Sequence, residues 1–278
     1  MEGLIKRMIT AAIFVGIMLA GLYGGRLTFV LLFGTIAAIS LWEFFGIVLD
    51  KISRRDRLRK FLGMLLGLMP IVLATVLQLG LAGSREAFLA VASLLFAPAI
   101  FLSFVYELYT QSEKPFVNIA FVILGMVYIG VPFSLLEFIA FNGEHFYADI
   151  VLGLLLLSWA NDTGAYLSGS RWGKTPLFHR ISPKKTWEGS IGGAVITFLI
   201  AAVLAYFFKD LTLTNWLILA AIIIVFGTLG DLVESMLKRS QHLKDSGTLM
   251  PGHGGLLDRF DGFIFMLPYV AAYLLLVR

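Results

Sequence analysis

The chain has 278 residues, of which 59% are hydrophobic and 14% charged, and its formal net charge is +4. A soluble domain is nearer to about one half apolar and one quarter charged, so this composition excludes a single soluble core and favours lipid as the solvent. Cysteine is absent, which excludes disulfides, thiolate zinc sites and cysteine nucleophiles.

Apolar runs long enough to cross ~30 Å of hydrocarbon recur along the whole chain. They are 8–24, 27–49, 61–80, 87–108, 116–140, 149–168, 188–208, 216–234 and 262–277. The runs are continuous and do not alternate with polar residues, which favours helices over strands. The sequence therefore predicts an all-α polytopic membrane protein with about nine transmembrane helices.

The basic residues test this count of spans. With nine spans, the N-terminus and the loops after every second span share one side and carry 18 of the 22 Lys and Arg residues. The other side carries Arg26, Arg85, Lys209 and Arg278. Because Lys and Arg are enriched in cytoplasmic loops, the N-terminus is predicted to be cytoplasmic.

The sequence divides into two functional parts. Residues 1–114 hold four spans and one charged loop, 51–60, which we interpret as a topology signal that also touches anionic lipid headgroups. Residues 115–278 hold five spans and the two long polar loops 169–187 and 235–261. Chemistry is expected in this second part.

Carboxylates within spans are costly and mark function or pairing. Four of them lie beside the long loops: Asp162, Glu188, Asp231 and Glu234. Asp231, Glu234 and Lys238 share one helix face, which also fits the amphipathic end of a helix. Glu43 and Glu107 approach the same side without a motif around them, and we interpret both as structural.

The loop before the last span combines helix-breaking residues with two acids. Gly252, Gly254 and Gly255 flank His253 and allow backbone N–H groups to approach phosphate oxygens. Four basic residues lie nearby: Lys238, Arg239, Lys244 and Arg259. His253 has no second histidine at metal-site spacing, so we interpret it as a hydrogen-bond donor to phosphate.

Asp258 and Asp261 are three residues apart at the start of the last span, so on a helix they face the same way. Together with Asp231 they form a predicted site for a hard divalent cation such as Mg²⁺. The alternative is that Asp258 pairs with Arg259 or Lys244 and that Asp261 caps the helix. Metal-holding carboxylates with Lys and Arg groups suit phosphoryl or nucleotidyl transfer.

The loop 169–187 has similar chemistry. Ser182, Lys184 and Lys185 precede Thr186 and Glu188, and the lysines are predicted to contact substrate phosphates. The alternative is a positive-inside loop with no role in substrate binding.

At these residues the sequence resembles the phosphatidate cytidylyltransferases, also called CDP-diglyceride synthetases. The resemblance spans 27 residues, 235–261, and includes these positions: Ser235, Lys238, Arg239, Lys244, Asp245, Gly247, Pro251, His253, Gly254, Gly255, Asp258, Arg259 and Asp261. Met250 departs from the family's Leu, Ile or Phe, a swap between apolar residues. Asp162, Ser182–Thr186 and Glu188 resemble family positions less distinctively.

The resemblance implies that CTP and phosphatidate give CDP-diacylglycerol and pyrophosphate with Mg²⁺, in phospholipid biosynthesis. It also implies a second cation, K⁺, and a homodimer, and no nucleic-acid partner is expected. The expected catalytic residues are Asp231, Lys238, Asp258 and Asp261, of which the three aspartates would hold metal. The expected substrate-binding residues are Ser182, Lys184, Lys185, Arg239, Lys244, Asp245, His253, Gly254, Gly255 and Arg259. Asp162, Glu188 and Glu234 are further candidates.

Two other functions fit parts of the pattern. An ion- or proton-coupled transporter also has many spans and buried carboxylates, but it would place them near the bilayer midplane. A related cytidylyltransferase could use another lipid phosphate. The expected location is the bacterial inner membrane, with the active site on the cytoplasmic face.

Overall fold

A computed structural model describes residues 2–49, 54–247 and 254–277. The helices in these ranges are α1 Glu2–Tyr23, α2 Arg26–Val48, α3 Arg54–Gln78, α4 Arg85–Thr110, α5 Pro115–Gly125, α6 Val131–Ala140, α7 Ala148–Trp172, α8 Trp187–Phe207, α9 Leu213–Ile222, α10 Thr228–Ser240 and α11 Leu257–Val277. The short strands are β1 Phe141–Asn142, β2 His145–Phe146, β3 Pro176–Phe178 and β4 Ser182–Thr186. Two π-helical turns, Met126–Gly130 and Ile223–Gly227, join α5 to α6 and α9 to α10.

The predicted membrane architecture is confirmed. Within the described ranges, eight helical stretches are long and apolar enough to cross a membrane. They are Arg26–Val48, Arg57–Gln78, Phe88–Thr110, Pro115–Ala140, Ala148–Trp172, Trp187–Phe207, Leu213–Ser240 and Leu257–Val277. Each coincides with one of the last eight predicted spans. The first predicted span lies in α1, whose apolar part Ile9–Tyr23 is shorter.

The chain forms two compact units with interleaved sequence. Unit 1 contains residues 1–143 and 245–257, and unit 2 contains residues 144–244 and 258–278. This division describes packing, and the predicted functional boundary after residue 114 stays a prediction. In unit 1, α5 and α6 pack on α3, where Gly130 lies directly against the carbonyl of Gly67.

Unit 1 has an aromatic core and a buried ion pair. Phe29 contacts Phe33 and Phe141, with ring centroids 4.7 and 5.2 Å apart. Arg59 on α3 forms a buried ion pair with Glu107 on α4. Two charges removed from water are tolerated when they neutralise each other, so the structure gives Glu107 the structural role expected from the sequence.

Unit 2 is organised by close packing of α7 and α8. Gly192 on α8 lies against Ser168 on α7, where a side chain would collide. The ring of Trp216 on α9 lies over Gly153 in the same way. Between α7 and α8 the chain forms the antiparallel β3–β4 hairpin, in which Pro176 pairs with Thr186. This hairpin carries Lys184 and Lys185, the lysines that are predicted to contact substrate phosphates.

Candidate active site

Two glycines bring α10 and α11 into backbone contact. A Cβ atom on Gly230 would lie 2.9 Å from the carbonyl oxygen of Asp261, and one on Gly262 would lie 2.8 Å from that of Gly227. Since real Cβ atoms essentially never approach so closely, no larger residue fits without a shift. The neighbours of these glycines in sequence, Asp231 and Asp261, are thereby placed where they interact electrostatically.

Four carboxylates interact at this crossing, and we call them the acid cluster. They are Asp162, Asp231, Glu234 and Asp261. Asp261 interacts electrostatically with the other three. Its Oδ1 also accepts a hydrogen bond of 2.6 Å from the N–H of Gly262. Like charges repel one another where water is scarce, so cations beside the cluster stabilise it.

Lys185 supplies one cation to the acid cluster. Its ammonium group forms an ion pair with Oδ2 of Asp231, and both side chains remain about one third exposed (29% and 34%). Oδ1 of Asp231 accepts a hydrogen bond of 3.3 Å from the Ser235 hydroxyl. Successive residues of a strand point to opposite faces, so Lys184, which is exposed, lies on the other face of β4. Of the two predicted lysines, the structure brings only Lys185 to Asp231.

Lys238 supplies a second cation in a drier setting. Its Nζ lies 2.5 Å from Oε2 of Glu234 and 2.5 Å from Oδ1 of Asp258. The Glu234 side chain is fully buried, whereas those of Lys238 and Asp258 are each 11% exposed. Asp258 therefore pairs with Lys238, a partner that the sequence alternatives of Arg259 and Lys244 did not include.

Several other predicted residues are less closely associated with the cluster. Arg259 is exposed and interacts with Asp162. Arg239 donates a hydrogen bond of 3.0 Å to the carbonyl of Leu243 and so stabilises the turn after α10. Ser182 is half-buried on β4 opposite Phe178.

The loop before α11 is described only at its flanks. Lys244 and Asp245 are exposed, and Gly255 is buried. Gly254 has a φ of 86°, a left-handed conformation that glycine adopts without strain. The predicted phosphate ligand His253 lies outside the described residues.

The Glu188 side chain stabilises the segment that leads into the hairpin. Its carboxylate accepts hydrogen bonds from the backbone N–H groups of Lys174 (3.1 Å) and Thr175 (3.2 Å) and from the Thr175 hydroxyl (2.9 Å). Thr186 caps α8 by accepting the N–H of Gly189 at 3.1 Å. These contacts fix both ends of the hairpin that presents Lys185.

The acid cluster offers the oxygen donors that Mg²⁺ prefers. Asp162, Asp231 and Asp261 interact mutually, and Asp162 is exposed, so a solute can reach them. In the part of the chain that the structure describes, no three carboxylate or imidazole groups are close enough to share one metal ion. The predicted set of Asp231, Asp258 and Asp261 stays a prediction, and Lys238 lies against Asp258 in this structure.

Comparison with known proteins decides the family. Residues 5–277 match the cytidylyltransferase family. The chain belongs to this family. A protein from Staphylococcus haemolyticus named phosphatidate cytidylyltransferase is 36% identical over 264 residues, which cover 94% of this chain and 95% of that protein. A protein of the same name from Staphylococcus aureus is 34% identical over the same coverage. This cytidylyltransferase is thus similar to them along nearly its whole length, including the first four spans.

Proposed function

We propose that this membrane enzyme transfers the CMP moiety of CTP to phosphatidate, which gives CDP-diacylglycerol and pyrophosphate. The observation that carries the proposal is the similarity over 94% of the chain to proteins named for this activity. Family membership favours this enzyme over the transporter considered from the sequence. The acid cluster, joined by Lys185 and Lys238, is the arrangement that such chemistry needs.

The proposed reaction is a direct transfer. A phosphate oxygen of phosphatidate forms a bond to the α-phosphorus of CTP, and the bond from that phosphorus to the bridging oxygen of the β-phosphate breaks. Pyrophosphate leaves with the electron pair. The proposal requires no enzyme nucleophile, because positioning and charge neutralisation supply most of the catalysis in such transfers.

This chain's residues have separable roles in the proposal. Lys185 and Arg259 neutralise substrate phosphates at the exposed side of the acid cluster, and Lys238 does so from its buried side. Asp231 and Asp261 would hold Mg²⁺ together with substrate phosphate oxygens, and the ion when bound neutralises the charge on the phosphates. Asp258 keeps Lys238 in place and would complete the metal site if that lysine moved.

The membrane setting supports a cytoplasmic active site. The helix ends at the β3–β4 hairpin and at the α10–α11 crossing lie on the side whose N-terminus and loops carry 18 of the 22 basic residues, which favours the cytoplasmic side. CTP is a cytosolic nucleotide and phosphatidate a membrane lipid, so an interfacial site meets both. By the resemblance to its family, the enzyme is proposed to work as a homodimer in the bacterial inner membrane.

The proposal is tested by incubating purified protein in detergent with phosphatidate, MgCl₂ and radiolabelled CTP. Label that passes into the organic phase only when phosphatidate is present supports it. A parallel reaction with an archaeal ether-lipid phosphate tests the related cytidylyltransferase. Stronger labelling of the ether lipid than of phosphatidate would contradict the proposed substrate.

A further inference from the structure

A single carboxylate from the first half of the sequence holds both flanks of the loop before α11. Glu43 lies near the end of α2 and is 8% exposed. Its Oε1 accepts the N–H of Leu256 at 3.0 Å. Its Oε2 accepts the N–H of Leu257 at 2.8 Å and the hydroxyl of Ser246 at 3.1 Å. All four residues belong to unit 1, although more than 200 positions separate Glu43 from its partners.

The backbone N–H groups of Leu256 and Leu257 need a hydrogen-bond acceptor from outside the helix. Leu257 is the first residue of α11, and the first N–H groups of a helix have no partner within it. A carboxylate at that end also interacts favourably with the helix dipole. In turn, a buried carboxylate is stable only if it is hydrogen-bonded. Glu43 and the two loop flanks therefore satisfy each other.

Two glycines make this contact sterically feasible. A Cβ atom on Gly247 would lie 2.5 Å from Oε1 of Glu43, and one on Gly255 would lie 2.6 Å from Oε2. Any larger residue would push the carboxylate and the loop apart. The glycines of this loop thus serve the approach of Glu43 as well as any approach of phosphate.

We propose that Glu43 is a positioning residue for cytidylyl transfer, which fixes the distance between Ser246 and Leu257 and so holds the described flanks of this loop, Gly247 and Gly254 among them, where their backbone can approach a substrate phosphate. Because Glu43 is buried and hydrogen-bonded to the loop flanks, it acts through the loop rather than on the substrate. The inference rests on the proposed function, and it gives α2 a role in catalysis, because α2 carries the residue that supports the loop before α11.

The test is Glu43→Gln, which keeps the shape but turns one acceptor oxygen into an NH₂ donor that faces a backbone N–H. Losing a charge-assisted hydrogen bond should lower kcat/KM for CTP roughly 10- to 100-fold. We expect the KM for CTP to rise at least about 5-fold as part of that loss. KM does not depend on the fraction of folded enzyme, so a purely structural role would leave it unchanged.

Glu137→Gln is the matched control. Glu137 is also a buried glutamate of unit 1, 2% exposed, and its two oxygens accept the Thr75 hydroxyl at 2.9 and 3.0 Å. Its substitution should leave the KM for CTP unchanged. Ser246→Ala removes one hydrogen bond to Glu43 and should raise that KM less, with little further effect in the Glu43→Gln background because the two changes are coupled.

Three results would overturn the inference. The first is a wild-type KM for CTP in Glu43→Gln, and the second is an equal rise of that KM in Glu137→Gln. The third applies if the Glu43→Gln protein does not fold: a wild-type KM for CTP in Ser246→Ala would then overturn the inference. Wild-type protein that forms no labelled lipid would instead contradict the proposed function, so the two failures are distinguishable.

Discussion

Replacing Lys238 with methionine tests the buried part of the site. Met retains much of the apolar stem but removes the ammonium group, which lies 2.5 Å from both Glu234 and Asp258. Because these side chains are at most 11% exposed, the change leaves two buried carboxylates without the cation that lies between them. Breaking a buried ion pair from one side destabilises a protein by about 3–5 kcal/mol, and we expect a loss of about that size in the free energy of unfolding in detergent.

A second substitution separates stability from catalysis. Glu234→Gln in the Lys238→Met background removes one of the two repelling charges, so most of the lost stability should return. If Lys238 also neutralises substrate phosphate, the double variant should still transfer CMP at least ~100-fold more slowly than the wild type. Unfolding in detergent measures the first effect, and label transfer from CTP measures the second.

The reasoning has two separate points of failure. A Lys238→Met protein that unfolds like the wild type would show that the buried ion pairs contribute no stability. A double variant with wild-type activity would leave Lys238 with a structural role alone.

Three further predictions concern the acid cluster, the hairpin and the topology. Asp261→Asn removes a charge without changing volume and should lower activity at least ~100-fold while protein yield holds; full activity with unaltered Mg²⁺ dependence would remove Asp261 from the site. Lys185→Gln should raise the KM of a substrate more than Lys184→Gln, because Lys185 reaches Asp231, and equal effects would contradict that distinction. Gln241→Cys, at an exposed position in a chain without native cysteine, should react with an impermeant thiol reagent only from the cytoplasmic side, and labelling from the outside alone would refute the orientation.

The sequence predicted the helices well because their signal is local. A run of apolar residues long enough to cross the hydrocarbon has few alternatives to a helix. The polar stripe of Asp231, Glu234 and Lys238 was predicted for the same reason, since three- and four-residue spacings define one helix face. The resemblance of 235–261 to a known family added the chemistry that composition alone leaves open.

The pairings between distant segments could not be predicted. Asp258 and Asp261 were expected to act together from their spacing, yet Asp258 faces Lys238 while Asp261 interacts with Asp231. The backbone contact at Gly230 places Asp261 beside α10. Such a contact depends on how two helices pack, which the local sequence does not contain. Glu43 has no motif around it, which favours a structural interpretation from the sequence, and the segment that it holds lies more than 200 residues away.

The most direct test of the central claim follows the two ends of the triphosphate in one reaction. Wild-type protein in detergent receives phosphatidate, MgCl₂ and CTP labelled either at the α- or at the γ-phosphate. Transfer of CMP predicts that the α-label enters the lipid fraction and the γ-label appears in water as pyrophosphate, in equal amounts. Label from the γ-phosphate in the lipid, or no lipid label from either position, would contradict it.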